Sequence, residues 1–309
     1  MKICALLEGG QISFQLFKQP VIRSGISNLS FNWGAIMSHK VSLDKIQGVP
    51  ETLLIPLRGR CLETKREDGI IHDPKSVEIV EMLDHDYAGD ELPWDGQILM
   101  AARTEILDEV TRKFLDDNPD SVVVNLGCGL DTRVHRVDNG RVLWYDLDLC
   151  ECIDIRQKFF EQNDRIKFIS KSVTDFSWVD DIAKGRKTLF IAEGLLNYFS
   201  EEDVKEIVHT IKRNFPDEEM VFEDYSMLIK QSGRWHREKH VRNAFSLFKW
   251  GVITGKKMEK WDKGIKFIND FHYIDRHPKR WKYLRFLRYI PRFKKIMKIV
   301  HLRFEPQAA

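Results

Sequence analysis

The feature that most constrains this chain is a short β-branched run, Val122-Val123-Val124-Asn125-Leu126, ending directly on Gly127-Cys128-Gly129. A run of this length and composition reads as a strand buried on both faces. Glycines at its end let the backbone turn tightly and approach a ligand. Similar apolar runs recur at 142–145, after the turn Asn139-Gly140, and at 166–169, 188–192 and 220–222. Amphipathic stretches lie between most of them. Residues 151–162 form one; residues 201–214 form another, with Ser200 as N-cap and Asp203 three residues on. Short apolar strands alternating with helices predict a parallel sheet covered on both faces, which binds ligands at the carboxyl ends of its strands.

The second strand ends on acids. Asp146 and Asp148 stand 19 and 21 residues after Gly127, where a carboxylate accepts hydrogen bonds from both ribose hydroxyls of a nucleoside. A strand, a GxG and an acid at this spacing point to a nucleoside cofactor more specifically than GxG alone, which is often only a tight turn. The cofactor is not expected to be a dinucleotide. The third glycine of that fingerprint is replaced by Thr132, and Asp131 would lie near a pyrophosphate. A cationic sulfonium that carries its own ammonium suits an acid-rich pocket better, which favours S-adenosyl-L-methionine over NAD.

Two further segments carry polar groups at strand ends. Asp175 in Ser172-Val173-Thr174-Asp175-Phe176 is placed to accept from an adenine amino group, with Phe176 covering the ring; the alternative is that Asp175 caps the next helix. Glu193 in Ile191-Ala192-Glu193-Gly194-Leu195-Leu196-Asn197-Tyr198 leaves an apolar strand, so its carboxylate needs a partner. The methionine ammonium of the cofactor is one candidate and a neighbouring arginine is another. Tyr198, apolar in its ring and polar at its tip, suits an acceptor-pocket wall or an ordinary packing role. His135, His236 and His240 carry no assignable role.

Taken together these segments resemble the leucine carboxyl methyltransferase and tetracenomycin polyketide O-methyltransferase family. The likeness spans roughly residues 45–304. It includes Gly59-Arg60 through Asp73-Pro74, Ala102-Arg103-Thr104, Gly127-Cys128-Gly129-Leu130-Asp131-Thr132-Arg133, Tyr145-Asp146-Leu147-Asp148, Val173-Thr174-Asp175, and Lys249-Trp250-Gly251. The resemblance implies an α/β, Rossmann-like class I methyltransferase: a seven-stranded, mostly parallel sheet with an antiparallel last strand and an N-terminal helical cap. S-adenosyl-L-methionine is the implied methyl donor. By the same resemblance Arg103 and Arg60 hold the cofactor carboxylate, and Gly127, with Gly129 in the same turn, lies beside the methionine portion. Asp148, with Asp146 beside it, binds ribose; Asp175 and Phe176 contact adenine; and Glu193 lies near the methionine end.

Domain organisation follows. Residues 1–40 are sparse in charge and sustain no period, and are expected to be a poorly ordered appendage; 1–36 could even precede the biological start at Met37. Residues 41–304 form one methyltransferase domain: helical cap 41–118, cofactor core 119–225, insert 226–262 and final strands 263–304, with 305–309 a tail. In the cap, Asp73-Pro74 opens a helix as N-cap and first helical residue. In the insert, the aromatics Trp235, Phe245, Phe248 and Trp250 are expected to be mostly core.

Bulk composition excludes several classes. A hydrophobic content of 43% argues against disorder. No apolar run approaches the roughly 18 residues of a membrane span, and no membrane partner is expected. Five scattered cysteines without a CxxC argue against a disulfide framework or zinc site and fit a reducing cytoplasm. No metal is expected. The net charge of +2 hides an asymmetry: residues 276–304 hold eleven Lys or Arg and no acid, whereas residues 1–275 hold 38 basic and 46 acidic residues. Trp281, Leu284, Leu287 and Ile290 recur at helical spacing, so this segment is expected to pack inward, with Arg280, Lys282, Arg285 and Arg288 mainly outward. Nucleic acid is therefore an unlikely partner.

Three functions remain in order: a small-molecule O-methyltransferase acting on a carboxylate or hydroxyl of a polyketide-type acceptor, a protein or peptide carboxyl methyltransferase, and an RNA methyltransferase or nucleic-acid-binding protein. Oligomeric state is not legible.

Overall fold

The computed structural model describes residues 5–8, 11–14, 40–42, 53–84, 92–227 and 247–306. The chain divides into two units, Met1–His39 and Lys40–Ala309. In the first, strands β1 (Ala5–Glu8) and β2 (Gln11–Phe14) pair antiparallel, Ala5 opposite Phe14 and Glu8 opposite Gln11. The sequence shows no sustained period there because four-residue strands are too short to display one.

The second unit opens with β3 (Val41–Ser42), α1 (Leu54–Thr64), α2 (Pro74–Met82), β4 (Leu83–Asp84) and α3 (Trp94–Asp117). Asp73 caps α2 as its sequence predicts, accepting from the backbone N–H of Ser76. Then come β5 (Val122–Leu126), α4 (Val134–Val137), β6 (Leu143–Asp148), α5 (Cys150–Arg156), β7 (Ile166–Ser170), β8 (Thr188–Ala192), α6 (Glu201–Asn214) and β9 (Glu219–Tyr225). After the insert follow β10 (Ile265–His272), α7 (Pro291–Lys294) and β11 (Met297–Phe304).

Seven strands form one sheet in the order β10-β11-β9-β8-β5-β6-β7. The five from β7 to β9 run parallel, and β11 is antiparallel to both neighbours, β9 and β10. Every residue of β5 and β8 is buried, the signature of a parallel strand covered on both faces. One face packs on α6, where Val204, Ile207, Val208 and Ile211 lie on one side of a helix that Ser200 and Asp203 open with a reciprocal capping box. The other face packs on α3 through Ile98, Ala102 and Ile106. Among the described residues no helix is long and apolar enough to cross a membrane.

Three local expectations need correction. Helix α5 stops at Arg156 rather than 162: tight turns, Lys158 N–H to the Ile155 carbonyl and Phe159 N–H to that of Arg156, bury Phe159 and Phe160. Strand β9 runs three residues past 222 and draws Glu223 and Asp224 fully into the core. Residues 282–289 form a 3-10 helix rather than an α-helix. His277 and Lys282 adopt left-handed φ of 44° and 49°, a conformation that interrupts any α-helix. Ile290 is consequently exposed, and Arg280 turns inward to meet Glu63 at 2.9 Å. In the insert, Phe248 and Trp250 are buried as expected; Met37, Trp235, His236, His240 and Phe245 lie outside the described residues.

Candidate active site

Pairing register builds the site. Leu126 of β5 is level with Leu147 of β6 and Ala192 of β8, and Ala192 is level with Phe222 of β9. The next residue on each strand therefore joins one row across the carboxyl edge: Asp148, Gly127, Glu193, Glu223.

The glycines shape the middle of this row. Gly127 and Gly129 have φ of +65° and +44°, strained for any side chain, and a Cβ on Gly127 would stand 2.8 Å from Leu195 Cδ1. The Gly129 N–H donates to Asp148 Oδ2 at 2.8 Å, and the Leu149 N–H donates to Oδ1 at 2.7 Å. Each carboxylate oxygen keeps acceptor capacity for a further donor. Burial pushes the Asp148 carboxyl above its usual range, against the pull of these two N–H groups.

From α3, Arg103 spans two members of the row. Its Nη2 lies 2.6 Å from Glu193 Oε1, and its Nη1 donates to Glu223 Oε2 at 2.8 Å. The second oxygen of Glu193 accepts from Arg133 Nη2 at 2.6 Å. Burial alone would raise the Glu193 carboxyl, but Arg103 and Arg133 outweigh it and hold it below the usual range. Tyr273 donates its hydroxyl to Glu223 Oε1 at 2.9 Å. Arg103 Nε is buried and has no hydrogen-bond partner among the described residues.

Two expected cofactor residues stand behind the row instead. Arg60 donates from Nε to Asp73 at 3.0 Å and from Nη2 to the Leu130 carbonyl at 2.9 Å. Asp73 also binds Arg136, which binds Asp108, which in turn binds Arg133. Asp146 is wholly buried: Arg156 grips it through Nε and Nη2, and Trp144 Nε1 donates to it at 2.9 Å. Arg156 also donates to the carbonyls of Gly129 and Asp131, each at 2.9 Å. Arg60 and Asp146 thus brace the glycine loop from within, and Asp148 stands at its front.

Asp175 is exposed and accepts from the Ser177 N–H, capping the 3-10 helix Phe176–Asp181, a role compatible with an adenine contact. Phe176 packs half-buried on the core. Both follow β7, the neighbour of β6. Glu193 likewise has arginine partners, the second of its two alternatives. Tyr198 meets Phe248 edge-on at 5.2 Å, and Phe248 lies 5.3 Å from Tyr225. The buried Asn197 ties this corner together: its Nδ2 donates to the carbonyls of Tyr225 and Trp250, and its Oδ1 accepts from Tyr225 N–H.

Sequence reasoning missed Arg133, Arg156, Glu223 and Asn197. Glu223 had a usable signal, the one that singled out Glu193: a carboxylate on an apolar strand.

A sheet in this order, with a glycine turn after its first parallel strand and an acid ending the second, is that of a class I S-adenosyl-L-methionine-dependent methyltransferase. The chain belongs to the leucine carboxyl methyltransferase family, whose model matches residues 54–212, about half its length. It is 28% identical over 242 residues to the tetracenomycin polyketide synthesis O-methyltransferase TcmP of Streptomyces glaucescens, covering 75% of this chain and 85% of the relative. It is 25% identical over 251 residues to the S-adenosyl-L-methionine-dependent methyltransferase dpfgK of Gibberella zeae, covering 73% and 84%. A DUF574 family protein of Streptomyces avermitilis shares the fold, with a TM-score of 0.54 at 14% identity over 81% of this chain and 97% of that one. The cofactor is S-adenosyl-L-methionine. The residues present suit it: among the described residues a buried Arg103 N–H lacks an acceptor, which a carboxylate supplies, and the acids of the row favour a cation.

Proposed function

We propose that this protein is an O-methyltransferase whose acceptor is a small, polyketide-type molecule bearing a carboxylate or hydroxyl. The observation that carries the proposal is the acid row bridged by Arg103, read together with the 28% identity to TcmP across most of both chains. We assign the cofactor's carboxylate to Arg103, its ammonium side to Glu193, its ribose to Asp148, and its adenine to the region of Asp175 and Phe176. Gly127 and Gly129 give the close backbone approach. Arg60 and Asp146 keep the loop in shape.

S-adenosyl-L-methionine supplies an electrophilic methyl on a sulfonium. The protein's own task is alignment. A carboxylate acceptor is already ionised at neutral pH, so no residue need take a proton, and orientation of the two reactants is worth about 7–11 kcal/mol. A phenolic acceptor would need a base near the Tyr198 corner. The family match also supports a peptide carboxyl terminus as acceptor, a second reading.

Incubation with methyl-labelled S-adenosyl-L-methionine and a panel of polyketide carboxylates, polyketide phenols and carboxyl-terminal peptides decides among these. Label released by mild base marks a methyl ester, and base-stable label marks an ether. Transfer to peptides alone would overturn the small-molecule assignment.

A further inference from the structure

The strip that follows β10 is held down firmly on its inner side. Arg276 makes a two-pronged bond to Glu109, His277 lies 2.8 Å from Glu105, and Arg280 pairs with the buried Glu63. Trp281 is buried, and Tyr283 meets Trp94 of α3 edge-on at 5.7 Å. At the far end Lys294 lies 2.7 Å from Asp275. This is an anchored strap rather than a frayed end.

Its outer side is apolar as well as basic. Tyr283, Phe286, Tyr289, Ile290 and Phe293 are 71%, 58%, 69%, 45% and 44% exposed. Among the described residues from 40 on, no other Phe, Tyr or Trp is exposed. Lys279, Lys282, Arg285 and Arg292 are exposed beside them. These four and Arg288 have no acidic partner among the described residues. A shallow recess of about 220 Å³ lies between Pro278, Lys279, Arg285, Phe286, Arg288 and Tyr289. Exposed apolar side chains clustered like this mark an interaction surface.

We infer that this strap is a peripheral docking surface for an anionic lipid bilayer. Its aromatic and aliphatic tips would enter the headgroup boundary, and its cations would meet acidic headgroups. Interfacial segments combine these same two elements. A single-stranded nucleic acid fits less well, because it stacks bases on open aromatic faces. Here Arg285 already lies over Phe286 at 5.0 Å, and Arg288 over Tyr289 at 4.8 Å while donating to its hydroxyl. Ile290, exposed between them, offers nothing to a base. This revises the sequence expectation of no membrane partner: a span is absent from the described residues, but a surface contact needs none.

The test is co-sedimentation of the full chain with vesicles of phosphatidylcholine alone and of phosphatidylcholine with 30% phosphatidylglycerol, chosen as about the anionic fraction needed for a strong surface potential. Binding is expected only to the anionic vesicles and should weaken as salt rises. Arg285→Glu with Arg288→Glu should lower partitioning by about 100-fold or more. Phe286→Ser with Phe293→Ser should lower it about 10-fold or more at high salt, where the apolar contribution dominates. Both double variants should keep wild-type affinity for S-adenosyl-L-methionine and an unchanged melting temperature. Three results would overturn the inference: no binding to anionic vesicles, indifference to the Phe substitutions, or a single-stranded RNA oligonucleotide binding tighter and displacing the protein from vesicles.

Discussion

Two regions of this molecule are rich in arginine and use it in opposite ways. Around the glycine turn, Arg60, Arg103, Arg133 and Arg156 are buried, the side chain of Arg136 is 5% exposed, and each grips at least one carboxylate. Along the strap, Lys279, Lys282, Arg285 and Arg292 stand in solvent without acidic partners among the described residues. Residue type does not decide the role; the surroundings do. A buried cation commits a backbone to one arrangement, because leaving its partner unpaired is costly. An exposed cation without a carboxylate partner stays open to an acid from outside, even where, like Arg285 over Phe286 and Lys282 over Trp94, it rests on a ring.

The contrast can be broken or sharpened by experiment. The largest effect should come from ending the chain at Asp275. This removes β11, the strand that pairs with both β9 and β10, and should leave insoluble or unfolded protein; a soluble, cofactor-binding truncation would make the strap and last strand dispensable. Next, Asp146→Asn strands the Arg156 guanidinium in the core and should destabilise by about 3–5 kcal/mol in denaturant titration. Arg103→Ala or Glu193→Gln should weaken S-adenosyl-L-methionine binding about ten- to a hundredfold by calorimetry, the equivalent of one charge-assisted hydrogen bond; unchanged affinity would remove both from the site.

Glu218 tests the rule from the other side. It is a buried carboxyl, pushed up to about 7 by burial, that accepts the Thr188 N–H and has no ion-pair partner among the described residues. Its folded value lies above its unfolded value, so its ionised form burdens the fold as pH rises through 4.5 to 7. Glu218→Gln should therefore raise the melting temperature at pH 8 and change it little near pH 4; an equal shift at both would sink the assignment. The smallest effect belongs to the exposed pair of Arg141 and Asp120. Arg141→Ala should leave the melting temperature where it was.

Much of this was legible in the sequence because it rests on period and spacing. Strand β8, helix α6 with its capping box, and the helix opened by Asp73-Pro74 follow from apolar pattern and turn residues; the antiparallel last strand follows only from the family resemblance. The partition of Asp146 from Asp148 was not legible. Both sit on one strand end, two residues apart, and only the position of Arg156 separates a structural carboxylate from an open one. The place of Arg60 beneath the glycine loop was not legible for the same reason: an arginine near the cofactor and an arginine beneath its loop have the same local sequence. The strap's departure from α-helix came from left-handed backbone at His277 and Lys282; lysine has no particular preference for that conformation, so little in the sequence signals it.

Placing the last strand inside the sheet has a consequence for the order of events during synthesis. Strand β9 emerges at residue 225 with its outer edge unpaired, and the strand that covers it is complete only at Phe304. At about 5–20 residues per second that leaves roughly 4–16 s in which a strand carrying Met220, Val221 and Phe222 offers open N–H and C=O groups. Glu223 and Asp224 are drawn into the core by the same completion, so the acid row acquires its last member only when the ribosome has nearly finished. The nascent chain therefore passes through an aggregation-prone interval that the finished enzyme never revisits while it stays folded.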